Sequence, residues 1–300
     1  MKISICMCTY NGEKYIEEQL SSILLQIEKA DEIIICDDGS TDNTVCILER
    51  FKRDFPLTKF KIYRNNHTLG PTKNFEKCIS LASGNIILLS DQDDIWNPSK
   101  IEMIKNVFNK QQDCSMVFSN GIIMDQNGRN TRKKMWDVVG FKIGDPIHIS
   151  LFSRNVVTGA TMAFRSEYRD MILPIPKDWI HDHWISMVLS SISDIYAINQ
   201  TLIKYRRHRE QSIGMREPTI TENIDAALKN KNDYYEIEIA KLKELGERIN
   251  DPMISDKIEH LRVRNEMKSR ITTPITELLT GRYHKYSLGW KSFIKDVLIG

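Results

Sequence analysis

Two acidic clusters stand out in this chain of 300 residues, Asp37-Asp38-Gly39-Ser40 and Ser90-Asp91-Gln92-Asp93-Asp94. Turn chemistry explains Asp and Gly after a strand. It does not explain three carboxylates between Asp91 and Asp94. Like charges held together repel, and a cation is the simplest offset; the other reading is a solvated acidic loop. Mg²⁺ or Mn²⁺ prefers carboxylate oxygens together with those of a bound diphosphate. There is no G-x-G-x-x-G after the first apolar run and no G-x-x-x-x-G-K-[ST] anywhere. A dinucleotide dehydrogenase and a P-loop enzyme are therefore not expected. Further along, Ile180-His181-Asp182-His183-Trp184 sets a carboxylate between imidazoles, and Tyr205-Arg206-Arg207-His208 adds guanidinium groups and another imidazole. His181 and His183 are two apart and share no helical face, so a joint metal site is not expected. Arg206, Arg207 and Arg209 could meet a diphosphate bidentately.

The elements that must position these residues read as strand–helix alternation. Ile3–Cys8, Glu32–Cys36, Lys59–Tyr63, Asn85–Ser90 and Ser115–Ser119 are apolar strand-like runs, and residues 13–26, 42–55, 71–82 and 99–109 carry helical spacing. Asn97-Pro98 is expected to start the last of these helices. Near-continuous Ile/Leu/Val strands predict an α/β fold with a mostly parallel open sheet flanked by helices. In such sheets ligands sit outside the carboxyl ends of the strands, where Thr9–Gly12 and both acidic clusters fall. Thr158–Phe164 reads as a further strand whose small residues allow close approach of a ligand. Trp184, Ile185, Val188, Leu189 and Ile192 mark a helix face, and 194–199 with 201–207 read as two short strands. Trp179 and Trp184 could stack on a ligand or belong to the core. From Thr219 only helical periods appear: Tyr235, Ile239 and Leu242; Ile258 and Leu261, extended by Met267 and Ile271; and Trp290, Phe293, Ile294, Val297 and Leu298. The predicted organisation is a catalytic domain over 1–215 and a C-terminal helical region over 216–300.

Met7-Cys8-Thr9-Tyr10-Asn11-Gly12, Cys36-Asp37-Asp38-Gly39-Ser40-Thr41-Asp42 and Ser90-Asp91-Gln92-Asp93-Asp94-Ile95-Trp96 together resemble the signature of family 2 glycosyltransferases with the GT-A fold. The His-Asp-x-Trp and Tyr-Arg-x-His segments resemble the rhamnosyltransferase-like branch. The resemblance covers about residues 1–210 and implies a metal-dependent, inverting transfer from a nucleotide-diphospho-sugar, with dTDP-rhamnose one donor candidate. The implied acceptor is a glycan or lipid-linked glycan of a cell-envelope or capsular polysaccharide. Carried over by position, Thr9 and Asn11 flank the nucleotide, Asp38 meets the base, and Asp91 meets the ribose or the metal shell. Asp93 and His208 are the metal ligands for Mn²⁺ or Mg²⁺, and Asp182 is the general base. His181 stands where the family often has Glu, which departs from its pattern. For Asp182 the plainer reading is a carboxylate stabilising a helix N-terminus, and for His208 a solvent-facing basic turn. The segment 208–218 is a candidate lid. A sugar-phosphate nucleotidyltransferase is a rival class, but it normally shows a glycine-rich segment where Thr9–Tyr15 offers a single glycine. A non-catalytic binding module is the third reading.

Composition bounds the rest. With 41% hydrophobic and 27% charged residues the chain is globular rather than disordered. Its longest aliphatic run, Ile86–Leu89, is far short of the roughly 20 residues a membrane span needs. Met1–Tyr10 reads as a strand and not as a secretory leader. All six cysteines fall within the first 114 residues. They read as reduced core thiols of a cytoplasmic protein. Nucleic acid is not an expected partner. The net charge of +2 conceals an asymmetry: residues 1–200 carry 23 basic against 25 acidic side chains, and the last hundred carry 19 against 15. That basic, apolar C-terminal segment either packs on the body or makes peripheral contact with an anionic inner leaflet.

Overall fold

The computed structural model describes residues 1–208, 211, 231–266, 278–287, 289 and 291–293. Two compact units are present: Met1–Ile143 with Val157–Arg216, and Gly144–Val156 with Glu217–Gly300.

The first unit is built on β1 (Ile3–Thr9), β2 (Glu32–Asp37), β3 (Phe60–Arg64), β4 (Ile86–Ser90), β5 (Ile95–Trp96), β6 (Cys114–Met124), β7 (Asn130–Lys134), β8 (Met162–Arg165) and β9 (Asp194–Arg206). They form one sheet in the order β3-β2-β1-β4-β8-β6-β9-β5, with β7 paired to β6. The strands β3, β2, β1 and β4 run parallel, as do β6 and β9, and these ladders hold most of the paired residues. β2 and β4 are buried along their whole length, which is why their sequences lack alternation. Helices α1 (Ile16–Leu24), α2 (Thr44–Asp54), α3 (Pro71–Leu81) and α4 (Lys100–Lys110) follow successive strands. α1, α2 and α4 turn Ile16, Leu20, Leu48, Ile101, Ile104 and Phe108 into one core with Ile5, Ile35 and Leu88. Shorter helices α5 (Met135–Val139), α7 (Arg169–Ile172) and α8 (His181–Ser190) complete the unit.

β8 enters antiparallel between β4 and β6, within a sheet that is mostly parallel as expected. Several local expectations are corrected. The run 158–164 does not begin as a strand: Gly159–Thr161 is a 3₁₀ turn, and only Met162–Arg165 pairs. The two short strands expected over 194–207 are the single thirteen-residue β9. α4 starts at Lys100 behind Ser99, whose N–H and hydroxyl both donate to Asn97 Oδ1, so Asn97 acts through a turn and not as the cap. α8 stops at Ser190, leaving Ile192 39% exposed and off the core face.

In the second unit, α6 (Ile147–Ser153), α9 (Lys231–Arg248), α10 (Pro252–Glu266) and α11 (Arg282–Tyr286) are described. Tyr235 and Leu242 of α9 are buried as their spacing predicts, and so is Leu261 of α10. His148 of α6 pairs with Asp251 at 2.8 Å. Tyr283 and Tyr286 of α11 are buried, and the Tyr286 hydroxyl donates to Asp256 at 2.6 Å. Met267, Ile271, Trp290, Ile294, Val297 and Leu298 lie outside the described residues, as do Arg209 and most of the expected lid.

Candidate active site

The carboxyl ends of β1, β2 and β4 open on a cavity of about 700 Å³. Thr9, Asn11, Asp38, Asp91, Asp93, Asp182 and His208 all line it. Residues spread over 200 positions of sequence thus meet in one concavity.

Their hydrogen bonds differ in kind. Asp38 is buried and its carboxylate is engaged: Oδ1 accepts from Asn65 Nδ2 at 2.7 Å and Leu69 N at 2.8 Å, and Oδ2 accepts from Gly70 N at 2.9 Å. Asp38 therefore shapes the loop leading into α3. The Thr9 hydroxyl donates to Asp37 at 2.9 Å. Asn11 has φ of 47°, and its Oδ1 accepts from Thr41 N at 2.9 Å, which ties the loop after β1 to the loop after β2. The left-handed conformation is tolerated by Asn because its short amide can bond locally.

The Asp91–Asp94 turn is held from two sides. Gln92, which the sequence reading passed over, clamps Tyr10 by donating Nε2 to its carbonyl and accepting its N–H, both at 2.9 Å. Arg206 donates from its backbone N to Asp94 Oδ1 at 3.0 Å and from Nε to the Asp93 carbonyl at 2.8 Å. Its guanidinium also pairs with Glu18 and lies over the Tyr15 ring. Arg206 is 2% exposed and does not line the cavity, so the expectation that it meets a diphosphate is not met. It is a strut beneath the turn.

Asp93 Oδ2 and His208 Nε2 are 2.7 Å apart, so the two residues expected to share a metal are in direct contact. His208 comes from just beyond β9 and packs against Tyr15 at 4.8 Å. Burial pushes Asp91 up to about 7, and repulsion from Asp93 and Asp182 adds to this. Asp94 is raised by the same causes, burial first and then Asp93 and Asp91. Asp94 Oδ2 and His208 Nδ1 are buried without a hydrogen-bond partner among the described residues. The Asp91 and Asp93 carboxylates that line the cavity are oxygen donors of the kind Mn²⁺ or Mg²⁺ takes, with the His208 imidazole beside them. Among the described residues, however, no three His, Cys, Asp or Glu are disposed to hold a metal by themselves. A cation here would need ligand oxygens to complete its shell.

Asp182 sits in the first turn of α8 and is 9% exposed. Its Oδ2 accepts from Gly159 N at 3.0 Å and Oδ1 from His183 N at 2.7 Å. His181 is buried against Phe75, centroids 4.1 Å apart, and burial pulls its pKa down. Of Thr158–Thr161, Thr158 and Gly159 line the cavity. Trp179 and Trp184 do not: they pack on each other at 5.4 Å, and Trp184 Nε1 donates to Ile172 O. Both are core residues. Behind the cavity lies a further residue the sequence reading missed. Lys100 is fully buried, pulled down to about 7 by burial and opposed by Asp94 and Asp91. The available signal was its place on the apolar face of α4, one residue before Ile101.

The chain matches the family described as Glycosyl transferase family 2 over residues 4–170. It belongs to that family. It is 29% identical over 210 residues to WfgD of Escherichia coli, a UDP-Glc:alpha-D-GlcNAc-diphosphoundecaprenol beta-1,3-glucosyltransferase, covering 68% of this chain and 76% of that one. To the dTDP-rhamnosyl transferase RfbG of Shigella flexneri it is 42% identical over 124 residues, 40% of each chain. It spans 65% of an uncharacterized glycosyltransferase of Nostoc sp., with 27% identity over 219 residues, 69% of this chain. The crystal structure of Staphylococcus aureus TarS 1–349 with UDP-GlcNAc has a similar fold, with TM-score 0.61 and 20% identity over 99% of this chain and 82% of that one. The fold is of the GT-A type, as the motifs imply.

Proposed function

We propose that this chain transfers a sugar, with inversion, from a nucleotide-diphospho-sugar to a glycan or lipid-linked glycan acceptor, assisted by Mn²⁺ or Mg²⁺. The observation that carries the reading is the convergence of Asp38, Asp91, Asp93, His208 and Asp182 on one cavity. Residues 1–215 would form the catalytic domain and 216–300 a C-terminal helical region. Thr9, Asn11 and Asp38 frame the nucleotide, and Asp91 meets the ribose or the metal shell. Asp93 and His208 would hold the cation, which supplies Lewis-acid stabilisation of charge developing on the departing diphosphate. Asp182 takes the proton of the acceptor hydroxyl as its oxygen bonds to the anomeric carbon and the bond to the diphosphate breaks. The Gly159 N–H fixes which face of that carboxylate is presented. RfbG supports dTDP-rhamnose as a donor, and WfgD supports a diphospholipid-linked acceptor. Peripheral association with the cytoplasmic face of a membrane belongs to this reading.

Asp182→Asn removes the base and keeps the side-chain shape, but an amide has one accepting oxygen, so one of the bonds from Gly159 N and His183 N is lost. Turnover of a sugar nucleotide with Mn²⁺, counted per folded molecule, is expected to drop about 10²–10⁴-fold, with stability lowered by about 1–3 kcal/mol. Turnover close to wild type in that variant refutes the role.

A further inference from the structure

Lys100 opens α4 and is entirely buried. Its ammonium donates to the Ala160 carbonyl at 2.6 Å and lies 3.8 Å from the centroid of the Trp96 ring. An apolar side chain could pack on Trp96 as well, without carrying an ammonium out of water. Burying that charge is costly unless it is paired and hydrogen-bonded. Burial does pull Lys100 down, and the fields of Asp94 and Asp91 oppose that pull. The partner on the other side is the 159–161 turn. Gly159 presents its N–H to Asp182 at 3.0 Å, and the next residue presents its carbonyl to Lys100. Adjacent residues of one turn thus join Lys100, which lies on Trp96 of β5, to the carboxylate at the start of α8.

We propose that Lys100 is a positioning residue that couples the two halves of the site, lying on Trp96 just beyond the acidic turn on one side and, through Ala160 and Gly159, fixing the orientation of Asp182 on the other. The inference rests on the reading of Asp182 as the base. It assigns Lys100 no contact with substrate. Loss of the Lys100 bond lets the turn rotate, and Asp182 then loses its fixed presentation, a displacement of the size that costs about 10²-fold in rate.

Lys100→Met keeps an unbranched side chain against Trp96 and removes the charge and the hydrogen bond. The test follows hydrolysis of dTDP-rhamnose and UDP-N-acetylglucosamine with Mn²⁺, together with dTDP and UDP binding and thermal unfolding. The expected result is a fall in kcat of about 10–10²-fold, with KM and nucleoside-diphosphate affinity within about threefold. In an Asp182→Asn background the same substitution is expected to cost less than about twofold, because residues acting as a unit are non-additive. A merely structural lysine would lower stability in both backgrounds equally and leave kcat per folded molecule unchanged. Wild-type kcat in Lys100→Met overturns the proposal, as does a full additive loss in the double variant. Should Lys100→Met unfold, Lys100→Met with Asp94→Asn is compared with Asp94→Asn alone, and the difference in kcat between those two is read in the same way. A wild-type chain that turns over neither donor overturns the transferase reading and this inference with it, whereas active wild type with an indifferent Lys100 overturns this inference alone.

Discussion

Carboxylates in this chain separate by what already satisfies them. Asp37, Asp38 and Glu32 are buried in networks of donors, whereas Asp94 Oδ2 has none among the described residues and Asp91 is held near neutrality. Residue type and spacing rank Asp37-Asp38 with Asp93-Asp94, because a sequence does not say which oxygen meets which N–H. Glu32 makes the contrast measurable. Burial alone would raise its pKa, but Lys61 at 2.7 Å, Ser4 at 2.6 Å and Ser83 at 2.7 Å outweigh that and hold it down to about 2. The folded value lies below the unfolded one near 4.5. Its stabilisation is therefore complete above about 4.5 and is lost as pH falls toward 2. By linkage, Glu32→Gln is expected to cost about 3 kcal/mol at pH 7. Urea unfolding of the two proteins should converge between pH 4.5 and pH 2; a gap that stays constant there contradicts the assignment.

At the scale of elements, the 3₁₀ turn at Gly159–Thr161 does what an unbroken strand could not. It brings a backbone N–H to Asp182 and a carbonyl to Lys100. A Cβ on Gly159 would lie 2.7 Å from His181 Nε2 and 3.6 Å from Asp182 Cβ. His181 is stacked on Phe75 and has little room to yield. Gly159→Ala is expected to cost about 1–3 kcal/mol, the usual penalty of overpacking, and to reduce turnover more than nucleotide binding because Asp182 is displaced. Thermal unfolding beside donor hydrolysis reads both effects; unchanged turnover in a destabilised variant would separate the turn from the chemistry. Sequence made β1, β2 and β4 legible, since buried parallel strands are continuous apolar runs, and α1, α2 and α4 carry amphipathic spacing; β3, half-buried at its centre, shows alternation instead. The turn was not legible, because the small residues Gly159 and Ala160 fit a strand that a ligand approaches as well as a turn, and only tertiary pairing with β4 and β6 decides where pairing begins. Lys100 was hidden for a related reason: a lysine in the first turn of a helix ordinarily faces water.

For the whole molecule, the informative quantity is how charge is distributed. Residues 1–200 are slightly acidic, with Asp38, Asp91, Asp93 and Asp182 gathered on one cavity, and the basic excess collects in the last hundred residues. Among the described residues no helix is long and apolar enough to cross a membrane. A lipid-linked acceptor would still place the chain at a membrane surface, where each nearby Lys or Arg contributes about 1 kcal/mol of attraction to anionic lipid. Truncation after Gly281 is a poor probe of this, since it deletes the buried Tyr283 and Tyr286, the latter bonded to Asp256 within the second unit. Neutralising Lys291 and Lys295 keeps both tyrosines in the chain. For the pair, sedimentation with anionic vesicles is expected to weaken about thirtyfold at low salt, and the difference should fade as ionic strength rises. Neutral vesicles should bind neither protein appreciably. Equal sedimentation of the wild type and the Lys291→Gln, Lys295→Gln variant with anionic vesicles at low salt would remove these lysines from any membrane contact.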